Sequence, residues 1–358
     1  MSLRNFQLAT FVFILSLIIF SCTKNDVPLP ETPEVTTGIY VLNEGNFNAN
    51  NTTLTYYSFD SGLPVTDFYF NSNGRGLGDT GNDMLLYGGK LYIVMNVSGY
   101  VEVAGAFDAR SIKRIDFENA SGVKRSPRFA LGYKNKVMVS SYDGTVAVID
   151  TTSLQIEKFI TVGSNPENMV ISGDKLYVVN SGGLNPVFDS TVSVIDLNSY
   201  TETEKITVGT NPSFITADDN GFLYIACTGN YFDIPASLVK LHTGTKEIVK
   251  TADTAVGKIF YHDGLLYATG GYFGSSNLRT LNTEDFSQTR DNFITDGTKV
   301  TIPYGLKIDS ETGDVYLTDV KDFTSSGEVF CFDKNGKKKF SFSVSPGVSP
   351  HAIAIIRQ

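Results

Sequence analysis

The sequence has no tryptophan and only three cysteines and three histidines among its 358 residues. With so few of these residues, it contains no C-x-x-C-H haem site, no H-E-x-x-H motif and no Cys/His zinc spacing. No histidine stands with a serine or a cysteine in a recognisable nucleophile motif either. The sequence therefore favours a protein that is not an enzyme, and it predicts no cofactor and no metal site.

Positive charge is also scarce. The chain has 29 Lys and Arg against 38 Asp and Glu, which gives a formal net charge of −9. A chain with this balance binds a phosphate backbone poorly, so nucleic acid is not an expected partner. The composition is otherwise ordinary, with 41% hydrophobic and 19% charged residues, and it excludes the disordered and polytopic membrane classes.

The N-terminus carries an apolar run that is too short to span a membrane. The run covers residues 8–20 and follows Arg4, whereas a spanning helix needs about 20 residues. This pattern is typical of a signal peptide, which we predict over residues 1–21. The motif IFSC at 19–22 resembles a bacterial lipoprotein signal, in which the cysteine becomes the acylated N-terminus. The resemblance implies that Cys22 is lipidated; the alternative is an ordinary secretory signal with an incidental cysteine.

Residues 22–37 contain three prolines and three acidic residues. Such a segment cannot build a core, so we predict a stiff, solvated tether. The anchor and the tether together predict a lipoprotein of the cell envelope that contacts the outer membrane through its lipid. We expect it on the cell surface, with the periplasmic face as the alternative.

A unit of 46 residues repeats along the rest of the chain. The segments STVSVID at 190–196 and ITVGTNP at 206–212 echo GTVAVID at 144–150 and ITVGSNP at 160–166, both with an offset of 46 residues. Seven β-rich segments follow the same phase, with 276 residues over six intervals, a mean of 46. They are centred on Tyr40, Tyr92, Met138, Tyr177, Tyr224, Tyr267 and Tyr316. A repeat of this length is typical of solenoids and propellers.

Each unit contains four short segments that are apolar or alternating and are separated by Gly, Asn and Asp. No segment keeps an apolar period of 3.6 residues, so helices should be few. Four-stranded units of this length, repeated seven times, describe an all-β, seven-bladed β-propeller, which we predict over residues 38–358.

The two ends of the repeat indicate how the ring closes. A proline precedes several of the seven centres by about eleven residues, as Pro127 precedes Met138. Pro350 has the same surroundings, but the sequence reaches Gln358 without a further centre, so its missing partner is the segment around Tyr40. We therefore predict that the C-terminal strand joins the three N-terminal strands in one blade, which closes the ring and pairs both free edges.

One face of this propeller is predicted to carry long loops. In each blade, the loop between the second and third strands and the loop into the next blade open on the same face, here called the long-loop face. Six loops on this face are long, at residues 43–51, 96–105, 181–189, 228–236, 270–277 and 320–327. Their aromatic rings and amides favour an organic ligand held in a common concavity, although the same residues could serve only to pack the blades. The candidate ligand-binding residues are Asn46, Phe47, Tyr100, Arg128, Tyr142, Phe188, Tyr231, Phe232, Tyr272, Phe273, Tyr304, Phe323 and His351.

A metal-dependent propeller hydrolase or lyase is the rival interpretation. Such an enzyme would need oxygen or nitrogen ligands from several first strands that converge on the central channel. The corresponding segments offer Asn82, Asp83, Glu167, Asn168 and His351. Only three of the seven units contribute to this set, so binding is the preferred interpretation.

Four stretches carry a family resemblance: YVLNEGNFNANNTTLTYYSFD at 40–60, LGDTGNDM at 77–84, YGLKID…GDVYLTD at 304–319 and GEVFCFDKNGK at 327–337. They resemble the surface-layer-like, or YVTN-type, seven-bladed propeller lipoproteins of Bacteroidetes. Some members of that family capture cobalamin and pass it to an outer-membrane transporter. The resemblance therefore implies a corrinoid ligand and a transporter as partner. A glycan or another envelope protein is the alternative binding partner.

Overall fold

The fold is known from a computed structural model that describes residues 35–270 and 277–358. The signal peptide predicted over residues 1–21, the lipidation site Cys22 and the tether up to residue 34 lie outside the described residues. Tyr272 and Phe273 also lie outside them. The predictions made for these residues stay predictions.

The described residues form 28 strands and one short helix. In chain order they are β1 (Thr36–Asn43), β2 (Thr53–Ser58), β3 (Leu63–Val65), α1 (Phe68–Asn73), β4 (Gly81–Tyr87), β5 (Lys90–Met95), β6 (Tyr100–Gly105), β7 (Ser111–Asp116), β8 (Pro127–Tyr133), β9 (Lys136–Ser141), β10 (Thr145–Asp150), β11 (Ile156–Thr161), β12 (Pro166–Ser172), β13 (Lys175–Asn180), β14 (Thr191–Asp196), β15 (Thr201–Thr207), β16 (Pro212–Ala217), β17 (Phe222–Cys227), β18 (Ser237–His242), β19 (Ile248–Ala252), β20 (Val256–His262), β21 (Leu265–Gly270), β22 (Arg279–Asn282), β23 (Gln288–Arg290), β24 (Pro303–Ile308), β25 (Val315–Asp319), β26 (Ser326–Phe332), β27 (Lys338–Val348) and β28 (Pro350–Arg357).

The strands group into seven antiparallel sheets of four strands each. Six sheets take four consecutive strands, from β4–β7 to β24–β27, and the seventh has the order β28-β1-β2-β3. The first strand of each sheet contacts the first strands of the two neighbouring sheets, in the cyclic order β28, β4, β8, β12, β16, β20 and β24. Seven sheets in a ring around a central channel are the predicted seven-bladed β-propeller, which is confirmed.

The closing blade also has the predicted composition. Strand β28 pairs antiparallel with β1, with Tyr40 opposite Ala354. Val35 and Gln358 extend this pairing, because each donates a backbone hydrogen bond to the other, at 2.8 and 3.0 Å. The blade therefore begins at Val35, three residues before the predicted start of the propeller at 38. The facing edges of β1 and β28 are thus paired with each other, as closure requires.

The seven repeat centres all lie on the second strand of a blade. These strands are packed on both faces, so they read as nearly continuous apolar runs rather than as alternating ones. Each space between two blades holds one apolar layer. In the layer between the last blade and the closing blade, Tyr316 and Val329 pack with Ile39 and Val41. These layers between blades constitute the core of the protein.

The helix and the tight turns follow local rules. The turn between β4 and β5 is formed by Gly88 and Gly89, with φ of +55° and +73°, a conformation that favours glycine. Helix α1 ends at Asn73 and is followed by Gly74, whose φ of +67° and N–H bond to the Phe70 carbonyl are typical of a C-terminal cap. Within the described part of the chain, no helix is long and apolar enough to cross a membrane.

Candidate ligand site at the channel mouth

Four of the six predicted long loops are present on the long-loop face. They connect β1 to β2, β13 to β14, β17 to β18 and β25 to β26. The loop between β21 and β22 lies largely outside the described residues. The loop predicted at 96–105 is wrong over its second half, because residues 100–105 form β6 and leave only residues 96–99 as the loop.

Tyr100 therefore lies on a strand and not in a loop. Its side chain is 7% exposed, its hydroxyl donates a hydrogen bond to the Leu77 carbonyl, and the Arg114 guanidinium lies 3.8 Å from its ring centroid. Glu102 gave the strand its loop-like appearance in the sequence. The carboxylate of Glu102 is fully buried and is held by Arg75 at 2.9 Å and Arg114 at 3.2 Å. Tyr100 is thus part of the packing and not of the surface of the long-loop face.

The channel mouth is the name used here for the partly buried polar cluster at the centre of the long-loop face, formed by Glu44, Tyr142, Arg128, Glu167, Lys258, Tyr304 and His351. Its first half is a pair of opposite charges. Arg128, the second residue of β8, lies 2.9 Å from the Glu167 carboxylate, and its guanidinium also donates to the Asn82 side chain. The Tyr142 hydroxyl donates to the other oxygen of Glu167. The structure thus brings together two predicted residues, Arg128 and Tyr142.

The second half of the channel mouth surrounds Tyr304. The Tyr304 hydroxyl donates to Glu44 at 2.9 Å, and its ring centroid lies 4.9 Å from that of His351 and 5.5 Å from that of Phe323. Asn46 donates to the Phe323 carbonyl at 2.8 Å, which ties the loops of two blades together. All five of these residues come from the closing blade and from the blade β24–β27 beside it. Closure of the ring therefore assembles this half of the site.

Lys258 completes the cluster from β20. Its Nζ donates to the His351 carbonyl at 3.2 Å and lies 5.2 Å from the Tyr304 ring centroid and 5.7 Å from that of Phe214. The strand β24 approaches β28 closely here. A Cβ on Gly305 would meet the same His351 carbonyl at 2.5 Å, so glycine is required at this position.

Burial controls the electrostatics of the channel mouth. Burial lowers the pKa of Lys258 to about 8, although Asp83 and Glu44 partly oppose this shift. Burial, together with the positive charges of Lys258 and Arg128, lowers the pKa of His351 well below its usual value, so the imidazole is neutral at pH 7. Burial also raises the pKa of Glu44, against the hydrogen bond from Tyr304 and the two cations.

Exposed apolar side chains form a rim around the channel mouth. Phe47 is 74% exposed, Val187 is 81% exposed and Phe232 is 92% exposed. Phe188 and Tyr231 join the loops of two neighbouring blades, with ring centroids 5.8 Å apart in an edge-to-face arrangement. All of these residues lie in loops between second and third strands, so they belong to the long-loop face. Exposed apolar side chains of this size are of the kind that interaction surfaces use.

Three of the metal ligands that the rival interpretation requires, Asn82, Asp83 and Asn168, form hydrogen bonds between neighbouring blades. Asn82 donates to the Arg128 carbonyl at 2.6 Å, and Asp83 accepts from the Ala130 amide at 2.9 Å. Asn168 accepts from the Ile215 amide at 3.3 Å in the same manner. Among the described residues, no three His, Cys, Asp or Glu side chains converge in a way that could hold a metal ion.

Sequence reasoning missed Glu44 and Lys258. Glu44 stands in the NEGNF stretch, where only the neighbouring Asn46 and Phe47 were selected. Lys258 is the third residue of its inner strand, and β20 begins with Val256 where five other inner strands begin with proline. An alignment of the seven inner strands would have placed a lone lysine beside the channel.

The fold and the channel mouth define a class: a seven-bladed β-propeller whose long-loop face opens onto a partly buried cluster of charged groups. The family model described as a domain of unknown function (DUF5074) matches residues 37–348. The chain therefore belongs to this family. No curated protein matches the chain in sequence.

Solved structures of other propellers resemble the chain. A quinoprotein alcohol dehydrogenase-like protein from Bacteroides thetaiotaomicron has a TM-score of 0.65 at 14% identity, and the match covers 90% of this chain and 79% of that one. A candidate 6-phosphogluconolactonase from Bacteroides fragilis has a TM-score of 0.64 at 12% identity, covering 89% and 98%. A protein from Lactobacillus plantarum has a TM-score of 0.64 at 13% identity, covering 90% and 100%. At these identities the similarity shows the propeller fold alone.

Proposed function

We propose that the chain is a non-enzymatic binding protein, anchored by lipid to the outer membrane, that captures an organic ligand on its long-loop face. The observation that carries this proposal is the combination of an exposed apolar rim with a partly buried, charged channel mouth on the same face. The rim offers contact area at low entropic cost, and the channel mouth offers fixed polar groups. This combination is typical of sites for organic ligands.

Binding is preferred to catalysis because the polar groups near the channel are already engaged. Asn82, Asp83 and Asn168 each form a hydrogen bond to the backbone of a neighbouring inner strand. A metal-dependent hydrolase or lyase would need such groups free to coordinate the ion. A stoichiometric divalent metal in the purified protein, found by elemental analysis, would favour the enzyme instead.

A corrinoid is the first ligand to test. The family resemblance of the NEGNF and LGDTGNDM stretches supports it, and it would make an outer-membrane transporter the receiver of the ligand. Exposed aromatic rings beside fixed polar groups suit a large amphipathic ring better than a small ion. A glycan or an envelope protein is the alternative, since exposed aromatic rings also stack on sugars and anchor protein interfaces.

Calorimetric titration of residues 23–358 with cyanocobalamin tests the ligand. This part of the chain contains the whole compact unit Val35–Gln358. We expect saturable heat at micromolar concentration, and no heat would exclude the corrinoid. Phe232→Ser on the rim should weaken binding severalfold. Phe107→Ser is the matched control, because Phe107 is 54% exposed but follows β6 on the opposite face.

The anchor has its own test. Cells that express the full chain should incorporate labelled palmitate into the protein and retain it in the outer-membrane fraction. Cys22→Ser should abolish both. Retention of the label in Cys22→Ser would contradict lipidation at this residue and would favour the ordinary secretory signal.

A further inference from the structure

Lys258 has an ammonium group that the protein only partly satisfies. The side chain is half-buried, and in the described part of the chain the Nζ has one hydrogen-bond acceptor, the His351 carbonyl at 3.2 Å. A lysine ammonium carries three N–H donors. The faces of Tyr304 and Phe214 lie near it at 5.2 and 5.7 Å, but neither supplies a charge.

The contrast with Arg128 shows what is missing. Arg128 forms an ion pair with Glu167 at 2.9 Å and also bonds to Asn82. No described carboxylate lies within 4 Å of the Lys258 Nζ, although Glu44 and Asp83 are near enough to raise its pKa. Burying a cation without a counterion costs free energy. The lowered pKa of Lys258, about 8, has this cause.

A second unsatisfied group lies beside this amine. The Nδ1 atom of His351 is buried and has no hydrogen-bond partner, while the ring forms a hydrogen bond with the Asn82 backbone. A buried polar atom without a partner costs about 1–3 kcal/mol. The channel mouth thus contains an ammonium group with a single hydrogen-bond acceptor and no ion-pair partner among the described residues. Beside it lies a buried imidazole nitrogen that has no hydrogen-bond partner.

We propose that Lys258 anchors a single oxyanion, a carboxylate or a phosphodiester, of the organic ligand that the long-loop face captures. This inference rests on the proposed function and specifies the chemistry of its ligand. The body of the ligand lies against Tyr304, Phe323 and the exposed rim, and its anion supplies the counterion that Lys258 lacks. Glu44 and Glu167, both in the same cluster, disfavour a doubly charged phosphate monoester.

Two matched pairs of probes test the proposal by calorimetry on residues 23–358. Cyanocobalamin carries a phosphodiester, and dicyanocobinamide lacks it together with the nucleotide. D-Galacturonate carries a carboxylate, and D-galactose lacks it. In at least one pair the charged member should bind about ten- to a hundredfold more tightly, as expected for a charge-assisted hydrogen bond.

Variants assign this preference to Lys258. Lys258→Met should reduce the ratio of affinities within the pair to about one, and Lys258→Arg should retain most of it. Lys307→Met is the matched control, because Lys307 is a second half-buried lysine on an inner strand whose pKa burial lowers. Lys307 lines a cavity of about 260 Å³ together with Phe260 and Arg357, and Lys258 is not part of that lining.

The pH dependence gives an independent readout. The ionisable groups that face Lys258 are Glu44, Asp83, Arg128, Tyr304 and His351. Affinity for the charged probe should fall as the pH rises from 7 to 9, because Lys258 loses its proton in this range. Lys258→Arg leaves the five facing groups in place and stays charged, so the decrease should disappear in this variant.

The outcomes separate the two proposals. If both members of a pair bind with equal affinity, or if the ratio of affinities persists in Lys258→Met, Lys258 does not bind the anion of the ligand. The proposed binding function would still stand. If none of the four probes binds, the ligand is neither a corrinoid nor an acidic sugar of this kind. The role proposed for Lys258 would then be overturned as well.

Discussion

The layers between blades are fully buried and the channel mouth is partly buried, and the two regions are built on opposite rules. Each layer repeats the same kind of apolar residue at the same position of every blade, as with Tyr92, Tyr177 and Tyr316 on second strands. At the channel mouth, the second residue of each inner strand differs from blade to blade. These residues are Asn82, Arg128, Glu167, Ser213, Gly257, Tyr304 and His351.

This difference separates stability from recognition within one ring. Burial of apolar side chains stabilises the folded state at every interface between two blades, so one repeated pattern stabilises all blades alike. Buried charges cost free energy unless each has a partner, so the set of different polar residues at the channel mouth does not follow from the rule that builds the layers. The unfavourable free energy of burying charges is concentrated at the channel mouth, on the same face as the exposed rim.

The largest expected effect comes from opening the ring. Deletion of residues 350–358 removes β28, exposes the edge of β1 and leaves one side of two apolar layers uncovered. We expect no cooperative thermal unfolding transition by calorimetry or circular dichroism. Leu63→Lys on β3, the outermost strand of the same blade, is the control and should keep the transition, because Leu63 is 65% exposed. A cooperative transition in the deletion variant would contradict the closure.

The next effect tests a single position of an apolar layer. Phe332 is fully buried, with Phe330 and Phe293 at ring-centroid distances of 6.0 and 6.5 Å. Phe332→Ala should lower the free energy of unfolding by about 3–5 kcal/mol, measured by urea denaturation. Phe232→Ala on the rim is the matched control and should change it by less than about 0.5 kcal/mol. Equal effects would remove the distinction between layer and rim.

Within the channel mouth, Glu167→Gln should leave Arg128 without its counterion. We expect a loss of about 2–3 kcal/mol in the free energy of unfolding, because an uncompensated charge remains largely buried. Glu204→Gln breaks the pair with Lys246, whose partners are 2.7 Å apart, but both side chains are solvated, Lys246 being 51% and Glu204 32% exposed. That control should change stability by less than about 0.5 kcal/mol. A similar result for both variants would show that the channel mouth behaves like a solvated surface.

The smallest predicted effect depends on pH. Burial raises the pKa of Asp83 to about 6, above its unfolded value of about 3.9. The proton stabilises the folded state below about pH 4, and this contribution is lost as the pH rises through 6. Asp83→Asn should therefore raise the free energy of unfolding by about 1 kcal/mol at pH 7 and weaken its pH dependence between 4 and 6.

An asparagine already occupies the position equivalent to Asp83 in another blade of this protein. Asn168 accepts the Ile215 amide on β16 as Asp83 accepts the Ala130 amide on β8, so an asparagine can keep the tie between inner strands. Urea titrations at pH 4, 5, 6 and 7 measure the effect. A loss of stability in Asp83→Asn at pH 7 would mean that the negative charge itself supports the fold.

The regular part of the fold could be predicted because its causes are local. The alternation within each blade, the turn residues such as Gly88 and the proline at the start of inner strands are visible in short windows of sequence. The closing of the ring could also be predicted, because Pro350 lacks a following repeat centre and the segment around Tyr40 supplies one. Strand β6 was mistaken for a loop because Glu102, a charged residue, interrupts its apolar pattern, and only Arg75 and Arg114 explain its burial.

The candidate site could be predicted only in outline. The rim residues Phe47 and Phe232 stand in loops of unusual composition, so the sequence alone identifies them. Lys258 stands in an ordinary inner strand, and no neighbour in sequence distinguishes it. Its importance comes from His351, 93 residues away in the chain, whose carbonyl it contacts.

By itself, the sequence determined the blade, the number of blades and the face that carries the long loops, because each of these follows from a pattern that repeats every 46 residues. Only the tertiary structure decided which charges meet at the channel mouth and which of them stay unpaired. Those contacts join single residues from different blades, and the closed ring brings them within hydrogen-bonding distance. A repeated pattern specifies what all blades share, whereas the site depends on what each blade contributes alone.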